Sequence, residues 1–145
     1  MHNEPCLIDF SIWIEGQRNP AWLANLTKDM TDVATCQIAV AEYRVGLYAP
    51  REKTTREEAR AFLNSAVAAV ASFPHVPEDF DEASRLIGEA IYASKGKPNF
   101  PDGMIAATAR RMGRTVWTKD RRHFEAMDCR VFNPLENVPG EQTAG

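Results

Sequence analysis

The sequence predicts an α/β fold: a three-layer α/β/α sandwich around a mainly parallel, five-stranded sheet. Two observations carry this expectation. Short apolar runs of strand length alternate with amphipathic stretches of helical period along the chain, the pattern of strands joined by covering helices. The 145 residues are 44% hydrophobic and 26% charged, enough for one buried core in a single domain spanning 1–145.

The elements follow in order. Residues 5–9 read as a short apolar strand, in "PCLIDFSIWI", with Asp9 set among apolar neighbours. Residues 18–30 read as a helix, because Trp22, Leu23, Leu26 and Met30 share one face. Asn19 can cap it and Pro20 fits its first turn. Residues 34–40, "ATCQIAV", read as a second strand, with a helix following through Leu47 to a break at Tyr48–Pro50. Over 54–71 a Thr precedes Glu57 and Glu58, which suits a capped N-terminus, and Ala59, Phe62, Leu63, Ala66, Val67 and Val70 form the apolar stripe.

"SFPHVP" suggests a third strand, at a sheet edge because of its two prolines. A helix over 79–95 places Phe80, Ala83, Leu86, Ile87, Ala90 and Ile91 on one face, and Lys95–Pro98 breaks it. "DGMIAATARRM", 102–112, is a helix closed by Gly113. Residues 115–118 and 129–134 are the fourth and fifth strands, and a frayed tail starts at Leu135.

The net charge is −3, from 20 acids and 17 bases, which argues against a generic nucleic-acid binder and leaves room for a local basic patch. Three cysteines without a C-x-x-C read as reduced, buried thiols. His2, His75 and His123 are not clustered with them, which argues against zinc. No apolar run approaches the ~18–20 residues that span a membrane. "MHNEPCLID" lacks the basic and apolar regions of a signal peptide, so the expected location is the cytoplasm.

In parallel α/β sheets ligands gather at the carboxyl ends of the strands. Asp9 ends strand one, strand two runs into Glu42, Asp120 lies just past strand four, and Asp102 opens the 102–112 helix. Each has an ordinary explanation: Asp9 as a cap or an arginine's partner, Glu42 as a helix-surface acid, Asp102 as an N-terminal helix acid, Asp120 as a turn residue. It is the joint placement that weakens these. Four carboxylates in one cleft repel one another and call for protons or a cation. Hard oxygen ligands suit Mg²⁺ or Mn²⁺, which can present a water to a phosphodiester.

Arg110, Arg111, Arg114, Lys119, Arg121 and Arg122 make a basic run beside the acids, read either as a solvated face or as phosphate contacts. Of these, Arg110, Arg114, Lys119, Arg121 and Arg122 are the candidate RNA contacts. Ser11 and Thr118 are short hydroxyls next to two of the acids, able to orient a carboxylate or a metal-held water. His123 reads as a surface or capping residue rather than an acid–base group. A haloacid-dehalogenase-like phosphatase would need an aspartate where Ser11 stands, and a receiver domain would need a second acid beside Asp9.

"LIDFSIWI", "IAVAEYRVGLY", "PDGMIAATARRMGRTVWTKDRRHF" and "CRVFNP" together resemble the PIN-domain family, within it the VapC toxin group and its FitB-like members. The resemblance covers about residues 6–134, and the block from Asp102 to Phe124 is its most specific part. It implies an endoribonuclease dependent on Mg²⁺ or Mn²⁺, with Asp9, Glu42, Asp102 and Asp120 in the acidic roles. Asp9 and Asp102 are then the first candidates for direct metal ligands, and Ser11 and Thr118 match the supporting hydroxyls. The position after the first aspartate is often threonine in this group and here is Phe10, so Ser11 is expected to supply that hydroxyl.

The resemblance also implies an RNA substrate, a VapB-like antitoxin, a toxin homodimer and heteromeric toxin–antitoxin assemblies, with no membrane association. Ile12–Trp13–Ile14, with Trp22 and Leu23, reads as core or as a groove for an antitoxin helix, with core favoured. The competing function is a catalytically silent PIN-fold interaction or regulatory module, which would bind no divalent metal.

Overall fold

The computed structural model describes residues 4–49 and 55–136. Five strands form one sheet: β1 (Cys6–Ile8), β2 (Val33–Cys36), β3 (Ala71–Phe73), β4 (Thr115–Trp117) and β5 (Val131–Phe132). Their spatial order is β3-β2-β1-β4-β5, and every pairing is parallel. The chain therefore lays strands outward on one side of β1, then returns to the other side with β4. That reversal, between β1 and β4, is the topological switch point at which open α/β sheets leave a crevice.

Seven helices cover the two faces: α1 (Phe10–Arg18), α2 (Pro20–Thr27), α3 (Gln37–Tyr48), α4 (Arg56–Phe62), α5 (Pro77–Tyr92), α6 (Phe100–Met112) and α7 (Arg121–Ala126). The strand alternation sorts the core into two layers. Cys6, Ile8 and Trp117 face a cluster with Ile12, Trp13, Leu23, Tyr43 and Phe62. Leu7 and Val116 face the opposite cluster, with Leu86, Ile105, Ala109 and Phe124. Between the two, buried Thr35 accepts from the Trp13 indole N–H at 3.0 Å and donates to Ile8 O at 2.8 Å, so the polar groups inside the first layer are paired.

Local chemistry explains most element ends. Asn19 accepts the Trp22 N–H into its side chain and Pro20 opens α2. Thr55 and Glu58 form a reciprocal capping box at α4, which continues through a π-helical turn at Leu63–Val67. Gly113, at φ 65°, closes α6 in the left-handed conformation. The β3 strand lies at the sheet edge, as its prolines suggest.

Several details go beyond the sequence reading or change it. Phe10–Arg18, given no element of its own in the sequence, is a helix packed through Ile12 and Trp13 in the core. The second strand stops at Cys36, and Gln37–Val40 already belong to α3; an apolar run of this length suits strand and buried helix alike. Phe80 and Ile91 are exposed, because α5 packs through Asp79, Ala83, Leu86 and Ala90 instead. Residues 121–126, given no element in the sequence, form α7. The break at Pro50 and all of the tail beyond Glu136 lie outside the described residues.

Candidate metal centre

β1 ends in Asp9, which has extended backbone and caps α1. Its N–H donates to Trp117 O at 3.1 Å, extending the β1–β4 ladder by one step and fixing the residue at the switch point. Its side chain is buried, 5% exposed. Oδ1 accepts from Ser11 Oγ at 2.6 Å and from the Ile12 N–H at 3.3 Å. Burial pushes the Asp9 carboxyl up to about 6, against the hydrogen bonds from Ser11, Thr118 and Ile12, and the charge of Asp102 pushes in the same direction as burial.

Glu42 lies in the second turn of α3, not at the end of a strand. Its carboxyl is raised to about 7, by burial first and then by the charges of Asp102 and Asp9. Asp102 is in the first turn of α6, where the Asn99 side chain accepts its N–H at 2.8 Å. Burial again raises its carboxyl, the His123 hydrogen bond and charge oppose, and Asp120 adds to the rise. Asp120 caps α7, and its own N–H donates to buried Thr118 Oγ1 at 2.9 Å. The charge of Asp102 acts on Asp9 and Glu42, that of Asp9 on Glu42, and that of Asp120 on Asp102.

One neighbour was read differently in the sequence. His123 Nδ1 stands 3.1 Å from Asp102 Oδ2 and 2.7 Å from Asp120 Oδ2. The proton on one ring nitrogen can serve only one of these oxygens at a time. Asp102, Asp120 and His123 each offer a ligand atom within 4.8 Å of the others. The signal was the Asp-x-x-His spacing, which puts His123 in the first turn of a helix that Asp120 caps. A helix of six residues has too little periodicity to announce itself.

The basic run divides. Lys119 pairs with Glu15 at 2.9 Å near the acids, and its N–H donates to Ser11 Oγ at 3.0 Å. Arg121 is paired with Glu125 and Glu136, and Arg122 is exposed. Arg110 and Arg114 are placed otherwise than the phosphate-contact reading expects. Arg110, in the last turn of α6, donates to Asp128 O at 2.8 Å. Arg114 sits at the amino end of the sheet, on Cys6 O at 3.1 Å and Asp32 Oδ1 at 2.8 Å, with its guanidinium 4.8 Å over the Phe73 ring.

The donor set fits a hard divalent cation. It is mainly carboxylate oxygens, with the His123 ring nitrogen beside Asp102 and Asp120, and burial leaves Asp9, Glu42 and Asp102 holding protons more tightly than ordinary carboxyls. A cation relieves the same repulsion that those protons relieve.

Fold and site together define a class: an open parallel α/β protein with acidic residues at its switch point. The PIN-domain family matches residues 6–128, and the chain belongs to it. Toxin FitB of Neisseria gonorrhoeae (strain ATCC 700825 / FA 1090) is 34% identical over 122 residues, 81% of this chain and 85% of that protein. The crystal structure of FitAcB from Neisseria gonorrhoeae superposes with a TM-score of 0.69 at 26% identity, covering 90% of this chain and 98% of its own. VapBC-5 from Mycobacterium tuberculosis, a member of the VapBC family of toxin–antitoxin systems, gives 0.65 at 26% identity, covering 89% and 96%. VapBC2 from Rickettsia felis, bound to a DNA fragment from its promoter, gives 0.72 at 16% identity over 88% of this chain and 96% of its own, a likeness of fold.

Proposed function

We propose that this chain is a divalent-metal-dependent endoribonuclease and the toxin of a toxin–antitoxin pair. The observation that carries the reading is geometric: Asp9 sits at the β1–β4 switch point, and Asp102, Asp120 and His123 each offer a ligand atom within 4.8 Å of the others. The carboxyls of Asp9, Glu42 and Asp102 are each raised, by burial first and then by neighbouring acids. Relatedness to Toxin FitB supports the same class.

Asp9 and Asp102 would hold the Mg²⁺ or Mn²⁺, with Glu42 and Asp120 beside them. When bound, the cation supplies charge against the carboxylates and the scissile phosphate and makes a water it holds more acidic. The protein's own part is orientation. Ser11 and Ile12 hold Oδ1 of Asp9, and Thr118 adds a further hydrogen bond to the same carboxylate. Thr118 holds the backbone of Asp120, and His123 holds the facing oxygens of Asp102 and Asp120. Lys119 and exposed Arg122 flank the crevice and suit the phosphates of a strand entering it.

The antitoxin reading has a surface. An apolar groove of about 1010 Å³ runs between α1, α2 and α4, with Trp13, Leu23, Phe62 and Val70 in its lining. Trp13 is also core, 1% exposed, so it forms the floor rather than the rim. VapBC-5 is a member of the VapBC family of toxin–antitoxin systems, and an amphipathic antitoxin helix suits such a groove.

The test is cleavage of varied RNAs by the purified, antitoxin-free chain with Mg²⁺ or Mn²⁺, beside Asp9→Asn. Metal-dependent cleavage lost in the variant is expected. Equal cleavage by both proteins would overturn the assigned site, and no cleavage by the well-folded chain would overturn the activity.

A further inference from the structure

The helix that carries Glu42 has an unusual N-terminus. α3 starts directly from β2 with Cys36 at its N-cap, and Cys36 makes no side-chain cap hydrogen bond. The first N–H groups of a helix need acceptors from outside it. Here one comes from a distant loop: the Ile38 N–H donates to His75 Nε2 at 3.1 Å. Ile38 lies one helical turn before Glu42, on the same face.

The imidazole is itself held. With Nε2 accepting, the ring proton is on Nδ1, which donates to Thr108 Oγ1 at 2.9 Å. Thr108, fully buried on α6, donates in turn to Met104 O at 2.9 Å, with Asp79 Oδ2 at 3.3 Å. Asp79, 2% exposed on α5, accepts from Arg111 Nε at 3.0 Å and Nη2 at 2.9 Å and from the Val76 N–H at 3.0 Å. His75 is therefore pinned between the helix that carries Glu42 and the helix that carries Asp102. The His75 side chain is only 8% exposed, so it competes with little water for these partners.

We propose that His75 is a positioning residue for the metal centre: it caps α3 and fixes the register of that helix, and so of Glu42, against α6 and Asp102. This rests on the reading of the acids as a nuclease centre. His75 touches none of the four acids and acts through Ile38 and Thr108. A static cap at this place holds Glu42 where its charge couples to Asp102 and Asp9, and its loss lets the first turn of α3 fray toward the site.

The test compares His75→Gln with His75→Asn in the full chain. The glutamine Oε1 reaches the place of Nε2 and can accept the Ile38 N–H; the asparagine oxygen is one bond short. Three quantities are read: amide hydrogen exchange at Ile38, Mn²⁺ affinity by calorimetry, and RNA cleavage with kcat and KM separated. In His75→Asn, exchange at Ile38 is expected to rise about tenfold, the worth of one lost cap. Its kcat is expected to fall about tenfold with KM unchanged, through misplacement of Glu42. His75→Gln keeps the acceptor for Ile38 but has no group at the place of Nδ1 for Thr108, so it is expected to keep exchange at the wild-type level and to lose clearly less kcat than His75→Asn.

Unchanged exchange in His75→Asn would overturn the cap. Faster exchange with unaltered kcat, in a chain whose wild type cleaves, would overturn the positioning role. Should His75→Asn fail to fold, His75→Gln decides alone: a protected Ile38 with kcat within about threefold of wild type supports the proposal, and a protected Ile38 with a loss of kcat of about tenfold or more sinks it. A wild type that cleaves no RNA defeats the nuclease reading instead, and Mn²⁺ affinity then decides whether His75 positions Glu42, equal affinity in His75→Asn counting against it.

Discussion

Ser11 Oγ donates to Asp9 Oδ1 at 2.6 Å and accepts the Lys119 N–H at 3.0 Å. One hydroxyl thus ties the end of β1 to the segment after β4 and takes the part expected of a hydroxyl at Phe10. A hydrogen bond to the charged form of a carboxylate holds its pKa down. Ser11→Ala removes that bond, so the Asp9 carboxyl rises further. Cleavage is expected to fall about tenfold near pH 7, the worth of one charge-assisted hydrogen bond. The loss should be larger at pH 6 than at pH 8, and a parallel pH–rate profile for both proteins would refute it.

Asp9 at about 6 and Glu42 at about 7 lie above the ordinary values of 3.8 and 4.5. A raised folded-state value means the fold binds the proton more tightly than the unfolded chain does. The stability from these groups is therefore complete below about pH 4 and is lost as pH rises through 6 and 7. A cation competes with the same protons. The rise in Tm on adding Mn²⁺ should accordingly be larger at pH 8 than at pH 5.5, and the reverse order in a thermal melt would count against the centre.

Asp9→Asn separates stability from activity. At pH 8 and without metal, wild type keeps an ionised carboxylate buried, while the amide keeps the acceptor for Ser11 and Ile12 without the charge. The variant should be more stable by about 1–3 kcal/mol there, from a shift of about two units at 1.36 kcal/mol each. The difference should vanish near pH 4. His75, whose burial lowers its value, favours the fold as pH rises through its range and opposes the trend, but it is common to both proteins and cancels. Cleavage should be lost throughout. Denaturant melts at pH 4 and pH 8 measure the difference, and a less stable variant at pH 8 would contradict it.

Gly16 marks the close approach of α1 to α2. A Cβ there would lie 2.4 Å from Leu23 Cδ2 and 3.1 Å from Phe62 Cζ. Gly16→Ala should cost about 1–3 kcal/mol through overpacking, despite alanine's better helix propensity. Adding Leu23→Ala should recover part of this, because it removes the clashing atom. A double-mutant cycle in urea gives the coupling, and strict additivity would exclude the contact as the cause.

Sequence and tertiary structure contributed different things. Alternation of strand-length and helix-period segments was enough for the parallel α/β class, because local periodicity reports which side of an element is buried. Caps at Asn19, Thr55 and Gly113 were legible because capping is chemistry between near neighbours. Asp9 stood out because a carboxylate amid apolar residues is costly to bury, and the block from Asp102 to Phe124 carried the family likeness.

The assembly of the centre was not local. Only the return of β4 to the side of β1 opposite β2 brings Thr118 to Asp9, with Asp120 held on Thr118. The same fold turned Arg114 to the amino end of the sheet, away from the acids it follows in sequence. It set His123 between two carboxylates and brought His75 to the first turn of a helix whose N-cap residue is a cysteine, a weak acceptor. Charge counts and spacings are properties of the chain in order. Which charges share a crevice depends on strand order, and that is decided by packing between segments far apart in sequence.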